Sequence, residues 1–267
     1  MVPRVVAAIV IGTFGALAAA VPAFASANSD SGIRCGPATI VEARGTGEPA
    51  GVGSTNGGRT YSYNGLGPTL VSFAVAIGND QEIPVHEEQL LYPAAVWNGV
   101  AAPYLSSVAA GVTNLRAEIE DIAATCPYTN ILLAGYSQGA QVIGDVLDNQ
   151  TSPQLSNAAK QHITSVVFYG DPSYRPGEAW DAAGSGTGGG MFQRHAGAFS
   201  GYTAYMYATP TSPGPTWVSK IRSYCATGDE FCQNAWPAGD SIHHSYSSTT
   251  YGNAGWAFMR NFLIDQG

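Results

Sequence analysis

A three-layer α/β sandwich around a central, mostly parallel sheet is the fold class the sequence predicts. Three observations predict it. Short apolar runs such as NILLA (130–134) and SVVFY (165–169) are continuous rather than alternating, as expected of strands covered on both faces. Stretches with apolar residues at helical spacing lie between them, and strand–helix alternation implies parallel pairing. No internal repeat and no Pro/Ser linker interrupts residues 26–267, which read as one domain.

The elements follow in chain order. Residues 37–43 (ATIVEAR) read as a buried strand. Leu70, Phe73, Ala74 and Ile77 recur as on a helix, and residues 83–91 read as a second strand. Leu105, Val108, Val112, Leu115, Ile119 and Ile122 form a helical stripe that ends near Cys126. Strand 130–134 is followed at once by a helix carrying Ala140, Ile143 and Leu147. Strand 165–169 stops at Gly170-Asp171-Pro172, a further strand covers 218–224, and a last helix starts near Tyr251 with Ala254, Phe258, Phe262 and Leu263 on one side. Gly184, Gly186 and Gly189 match a dinucleotide-binding spacing, but no strand leads into them and no helix follows. The stretch 184–190 is therefore read as a flexible surface loop.

Composition narrows the class. Of 267 residues, 45% are hydrophobic and 11% charged, enough for a sizeable core and too apolar for disorder. Residues 1–25 read as a secretory leader: Arg4, an apolar run from Val5 to Ala20, and Ala23-Phe24-Ala25 as a cleavage site, with Ala25-Ser26-Ala27 equally acceptable. The mature chain then has no membrane anchor, because the run is short for a span. The formal charge of −8, with no basic stripe, argues against nucleic acid as a partner. Cys35, Cys126, Cys225 and Cys232 are an even set, as in exported disulfide proteins. Proximity pairs Cys225 with Cys232, leaving Cys35 with Cys126. The five histidines show no metal-ligand spacing, and neither metal nor organic cofactor is expected.

Gly135-Tyr136-Ser137-Gln138-Gly139 fits G-x-S-x-G, the nucleophile elbow of the α/β-hydrolases. Alone the motif is weak; here it joins a predicted strand to a predicted helix, as the elbow requires. Its residues must be small on either side of the serine, and the helix N-terminus it precedes suits a developing oxyanion. Serine needs a base, and a histidine the usual acid to orient it, in the chain order Ser, acid, His. His243 and His244 lie downstream; His195 also does, but beside the Gly-rich loop. Asp171, directly after a strand, and Asp229, inside the small ring that Cys225 and Cys232 close, both suit the acid. Whether the Tyr136 and Gln138 side chains do more than pack is left open.

The chain resembles the cutinase and acetylxylan esterase family. The matching pieces are Ala43-Arg44-Gly45-Thr46, Tyr92-Pro93-Ala94, Gly135 to Ala140, Gly170-Asp171-Pro172, Cys225 to Cys232 with its internal Gly-Asp, and His243-His244-Ser245-Tyr246. They occur in the family's order over nearly the whole mature chain. The resemblance implies an α/β-hydrolase without a lid domain, no sequence segment reading as a lipase lid. It makes Ser137 the nucleophile, Asp229 the acid and His243 the base, with Thr46 (often Ser in the family) and the Gln138 N–H as the oxyanion hole. It implies a secreted, monomeric serine esterase acting on cutin-like polyester, acetylated xylan or short-chain lipid esters. The alternative is an exported binding or cell-surface protein that keeps the fold without turnover, since fold alone does not establish activity.

Overall fold

The computed structural model describes residues 34–50, 53–56, 59–62, 67–96, 101–206, 216–234 and 241–264. The predicted leader lies outside them. In chain order the elements are β1 (Ala38–Ala43), β2 (Gly53–Asn56), β3 (Arg59–Ser62), α1 (Gly67–Gly78), β4 (Val85–Gln89), α2 (Ala101–Thr125), β5 (Asn130–Tyr136), α3 (Gln138–Leu147), α4 (Asn157–His162), β6 (Ile163–Tyr169), β7 (Thr203–Met206), β8 (Thr216–Ser219), β9 (Ile221–Tyr224), a 3-10 turn (His243–Ser247) and α5 (Thr249–Ile264). The central sheet has the order β4-β1-β5-β6-β9, and every neighbouring pair in it is parallel. β2–β3 and β7–β8 are antiparallel hairpins that the apolar pattern did not reveal.

Period-two alternation divides the sheet's side chains between two cores. Ile131 and Leu133 of β5, with Val166 and Phe168 of β6, face α2 and α3. Leu132 and Ala134, with Val167 and Tyr169, face α1 and α5. Because both faces are covered, β1, β5 and β6 are apolar almost throughout, which is why they were legible as unbroken runs. The three-layer α/β expectation holds.

Three expectations are corrected. The predicted strand 218–224 is two strands in two sheets. The chain changes sheet at Lys220, whose N–H donates to the Tyr202 carbonyl at 2.9 Å beside the hairpin, while its carbonyl accepts Val166 N–H, also at 2.9 Å, beside β6. The α2 stripe begins one residue early: Leu105 is 47% exposed, and Tyr104 turns inward instead. On α5 the buried face is Gly252, Gly255, Trp256, Met259 and Phe262. A Cβ on Gly252 would lie 2.6 Å from the Ser72 carbonyl group, so the two helices meet through residues that carry no apolar signal. Phe258 is only half-buried and lies under the Arg222 guanidinium.

Both disulfides join the cysteines the sequence pairs. Cys35–Cys126 ties the entry to β1 to the end of α2, closing a loop worth about 4.6 kcal/mol by chain entropy. Cys225–Cys232 closes a small ring after β9, worth about 2.5 kcal/mol on the same basis. The larger loop is the better stabiliser.

Candidate active site

Ser137 stands between the end of β5 and the first residue of α3, with φ 52° and ψ −120°. Such a backbone costs a non-glycine residue about 1–3 kcal/mol, and persists only where its surroundings enforce it. They do so here: its N–H extends the β5–β6 ladder to the Tyr169 carbonyl at 2.8 Å, and its carbonyl accepts Gln141 N–H at 3.1 Å. The flanking glycines are steric necessities. A Cβ on Gly139 would lie 2.0 Å from the Ala43 carbonyl oxygen, so α3 would not fit against the end of β1. A Cβ on Gly135 would meet Ala140 N at 2.7 Å and Gly139 C at 2.8 Å. Gly135 is therefore small because the start of α3 crowds it, whereas Gly139 is small because of β1.

His243 opens the 3-10 turn and reaches Ser137 Oγ with Nε2 at 2.9 Å and Asp229 Oδ2 with Nδ1 at 2.8 Å. All three side chains are buried. Asp229 also accepts Phe231 N–H at 2.8 Å and Cys232 N–H at 3.1 Å on Oδ1, and the Tyr246 hydroxyl at 2.8 Å on Oδ2. Burial by itself would raise the Asp229 carboxyl, but the bonds from His243, Cys232 and Tyr246 outweigh it and hold the group below the ordinary carboxylate range. An ionised Asp229 can only accept, so Nδ1 carries the proton and Nε2 is left as the acceptor for the serine hydroxyl.

The ring that carries Asp229 is braced from outside. Gly186 N–H donates to the Cys225 carbonyl at 2.8 Å, and the Tyr174 hydroxyl donates to the Gly186 carbonyl at 3.1 Å. A Cβ at Gly186 would collide with the Gln233 side chain, and one at Gly190 with the Pro172 carbonyl. The stretch 184–190 thus packs against the ring segment at Gly186 and Gly188 and against Pro172 at Gly190 rather than forming the free surface loop expected, while Gly184, with φ 83° and nothing within 4 Å, serves a turn.

Asp171 has a different occupation. It pairs with the buried Arg194 guanidinium, which also holds Asp145 Oδ1 and the Gln141 carbonyl, each at 2.9 Å. Its Oδ1 accepts Ser173 N–H at 2.9 Å. His244 is exposed and faces the Tyr136 hydroxyl at 3.2 Å, while His195 pairs with Asp148 at 2.9 Å. Of the two acids and three histidines open in the sequence, the fold brings Asp229 and His243 to Ser137.

Thr46 follows β1. Arg44 anchors its loop by donating to the Tyr92 carbonyl at 2.7 Å, and Gly47 N–H donates to the Ala94 carbonyl at 2.8 Å. The motif pieces around residues 44 and 92 are thereby one structural unit. The Gln138 side chain does more than pack: its Nε2 donates to Thr46 Oγ1 at 3.2 Å and to the Ala95 carbonyl at 3.1 Å, and its Oε1 accepts from Ser107 at 2.7 Å. Because Thr46 Oγ1 accepts, its own proton is directed elsewhere. The Gln138 N–H belongs to the first turn of α3, where backbone donors have no intrahelical acceptor.

Sequence reasoning passed over Ser107, left Tyr136 open and took Tyr246 only as part of the His243–Tyr246 motif. Ser107 sets Gln138; Tyr136 donates to the His243 carbonyl at 3.0 Å and lies beside its ring. Three residues apart on a 3-10 turn, His243 and Tyr246 share a face, and that spacing was the available signal that both reach Asp229. Ser137 and His243 open on a cleft of about 600 Å³, whose walls include Val96, Tyr104, Pro172, Met191, Phe192 and Phe231.

A strained serine at the end of a parallel strand, with a histidine and a buried carboxylate in line, defines an α/β-hydrolase. The family model of the cutinases matches residues 34–263, and the chain belongs to that family. It is similar to acetylxylan esterase 2 of Talaromyces purpureogenus, 33% identical over 61% of this chain and 65% of that protein. It is also similar to carboxylesterase Culp1 of Mycobacterium tuberculosis, 27% identical over 84% of this chain and 80% of that one. A solved acetyl xylan esterase superposes with a TM-score of 0.63 and 26% identity, covering 86% of this chain and 99% of the other. The chain spans 65% of the Talaromyces relative and 52% of a cutinase from Hypocrea jecorina.

Proposed function

We propose that this chain is an exported serine esterase that cleaves carboxylic esters through Ser137, His243 and Asp229. His243 Nε2 takes the Ser137 proton as Oγ attacks the ester carbonyl, then gives it to the leaving alcohol. Asp229 holds the tautomer and stabilises the imidazolium. Thr46 and the Gln138 N–H receive the oxyanion, and water releases the acyl-enzyme by the same steps reversed. The observation that carries this reading is the hydrogen-bonded path from Asp229 through His243 to Ser137, opening on a cleft. Two disulfides and an apolar leader favour an oxidising, extracellular setting.

The apolar walls of the cleft favour an acyl chain of several carbons. Each buried methylene contributes about 0.8 kcal/mol, roughly fourfold in kcat/KM. A p-nitrophenyl ester panel should therefore show kcat/KM climbing by about that factor per carbon from acetyl to butyryl. A second reading, removal of acetyl groups from xylan, draws on the likeness to acetylxylan esterases. A panel on which acetyl esters and acetylated xylan are the best substrates would favour it. Absence of turnover on every ester would leave the binding-protein alternative.

The oxyanion pocket has its own test. Thr46→Val should lower kcat by about 10²–10³-fold, as for loss of one preorganised donor, while Thr46→Ser keeps most activity. Steady-state kinetics with p-nitrophenyl butyrate read both.

A further inference from the structure

Glu48 takes no part in the hydrolysis outlined above, although it lines the same cleft. Both its carboxylate oxygens are nevertheless bound to backbone. Oε2 accepts Gly45 N–H at 2.7 Å, and Oε1 accepts Thr69 N–H at 3.2 Å in the first turn of α1. At Gly67, where φ is 66°, a Cβ would lie 2.3 Å from Oε2, so the carboxylate rests flush on the helix N-terminus. That end of a helix favours negative charge.

The backbone of Glu48 closes the same turn. Its N–H donates to the Gly45 carbonyl at 3.2 Å, and its carbonyl accepts Arg44 Nε at 2.9 Å. Thr46 therefore sits inside a four-residue turn that Glu48 closes with main chain and side chain together. Burial pushes the Glu48 carboxyl up, against the opposing pull of Gly45, Thr69 and the nearby His244.

We infer that Glu48 is a positioning residue, which ties the Gly45–Glu48 turn to the N-terminus of α1 and thereby holds Thr46 where the oxyanion forms. The inference rests on the assignment of Thr46 in the proposed function. Glu48→Gln keeps the volume but turns one acceptor oxygen into an NH₂ that cannot receive an N–H.

The test is a double-variant cycle with p-nitrophenyl butyrate, run beside wild type and Ser137→Ala. Glu48→Gln should lower kcat by about 10–100-fold with KM little changed, because a misplaced donor is felt in the transition state. In a Thr46→Val background the same change should cost less than about threefold, since the two act as one unit. Glu48→Asp, which keeps the charge but draws the carboxylate back from Gly45 and Thr69, gives the same pattern should Glu48→Gln fold poorly by thermal melt. Unchanged kcat in Glu48→Gln, or losses that multiply in the double variant, would overturn the inference. A rise in KM with kcat kept would also overturn it, by making Glu48 a substrate contact. The parallel arm separates the two readings: active wild type with dead Ser137→Ala upholds the esterase assignment whatever Glu48 does.

Discussion

Ser137→Ala is expected to lower kcat on p-nitrophenyl butyrate by on the order of 10⁶-fold, the scale on which loss of a triad nucleophile is felt. The fold should stay intact. The substitution removes one hydroxyl, whose hydrogen-bond partner is His243, and the elbow is held by backbone bonds from Ser137 to Tyr169 and Gln141 that alanine keeps. A melting temperature near wild type and loss of turnover belong together in this expectation. A phosphonate ester should label the wild-type chain at Ser137 and leave the variant unmodified. Peptide mapping that finds the label on a different serine would refute the nucleophile assignment.

Asp229→Asn should cost on the order of 10⁴-fold in kcat at neutral pH. The reason is the tautomer. Asn presents an NH₂ or a carbonyl where Nδ1–H now meets a carboxylate, and the proton is then free to sit on Nε2, where it blocks removal of the serine proton. Asp171→Asn provides the contrast. It breaks the buried pair with Arg194 and leaves His243 untouched, so melting temperature should fall while kcat changes far less. An inactive Asp171→Asn beside an active Asp229→Asn would reverse the assignment of the acid. Ionisation adds a pH signature. Asp229 titrates lower in the folded chain than in the unfolded one, so the stability it contributes is complete above the ordinary carboxylate range. That stability is lost as pH falls through its folded pKa. In Asp229→Asn the acid limb of the stability curve should flatten accordingly. The ring adds a further contrast: Cys225→Ser/Cys232→Ser should depress kcat more than melting temperature, and loss of Cys35–Cys126 the reverse.

The sequence by itself determined the layers and the elbow. Strands covered on both faces run to apolar residues at most positions, so β1, β5 and β6 announce themselves without periodicity, whereas the buried but polar β4 does not. The elbow is legible because Gly135 and Gly139 are the residues that strand and helix tolerate at that spacing. Tertiary structure decided what has no local signature. Asp171 and Asp229 both follow strands and carry the same chemistry; only the position of Arg194, far along the chain, occupies one and frees the other for His243. The Gly-rich stretch reads as slack in one dimension because glycine's lack of a side chain looks the same in a free loop and in a tight contact. It is the approach of Gln233 and Pro172 that makes it the latter. Lys220 divides one apparent strand between two sheets because its hydrogen-bond partners are Tyr202, at the foot of the β7–β8 hairpin, and Val166 of β6, and pairing is a property of neighbours rather than of the strand. Nothing in the sequence sets Glu48 apart from the other acidic residues. Its bonds to Gly45 and Thr69 exist only because α1 starts against the turn after β1, and the carboxylate is stabilised by donors that the fold alone brings together.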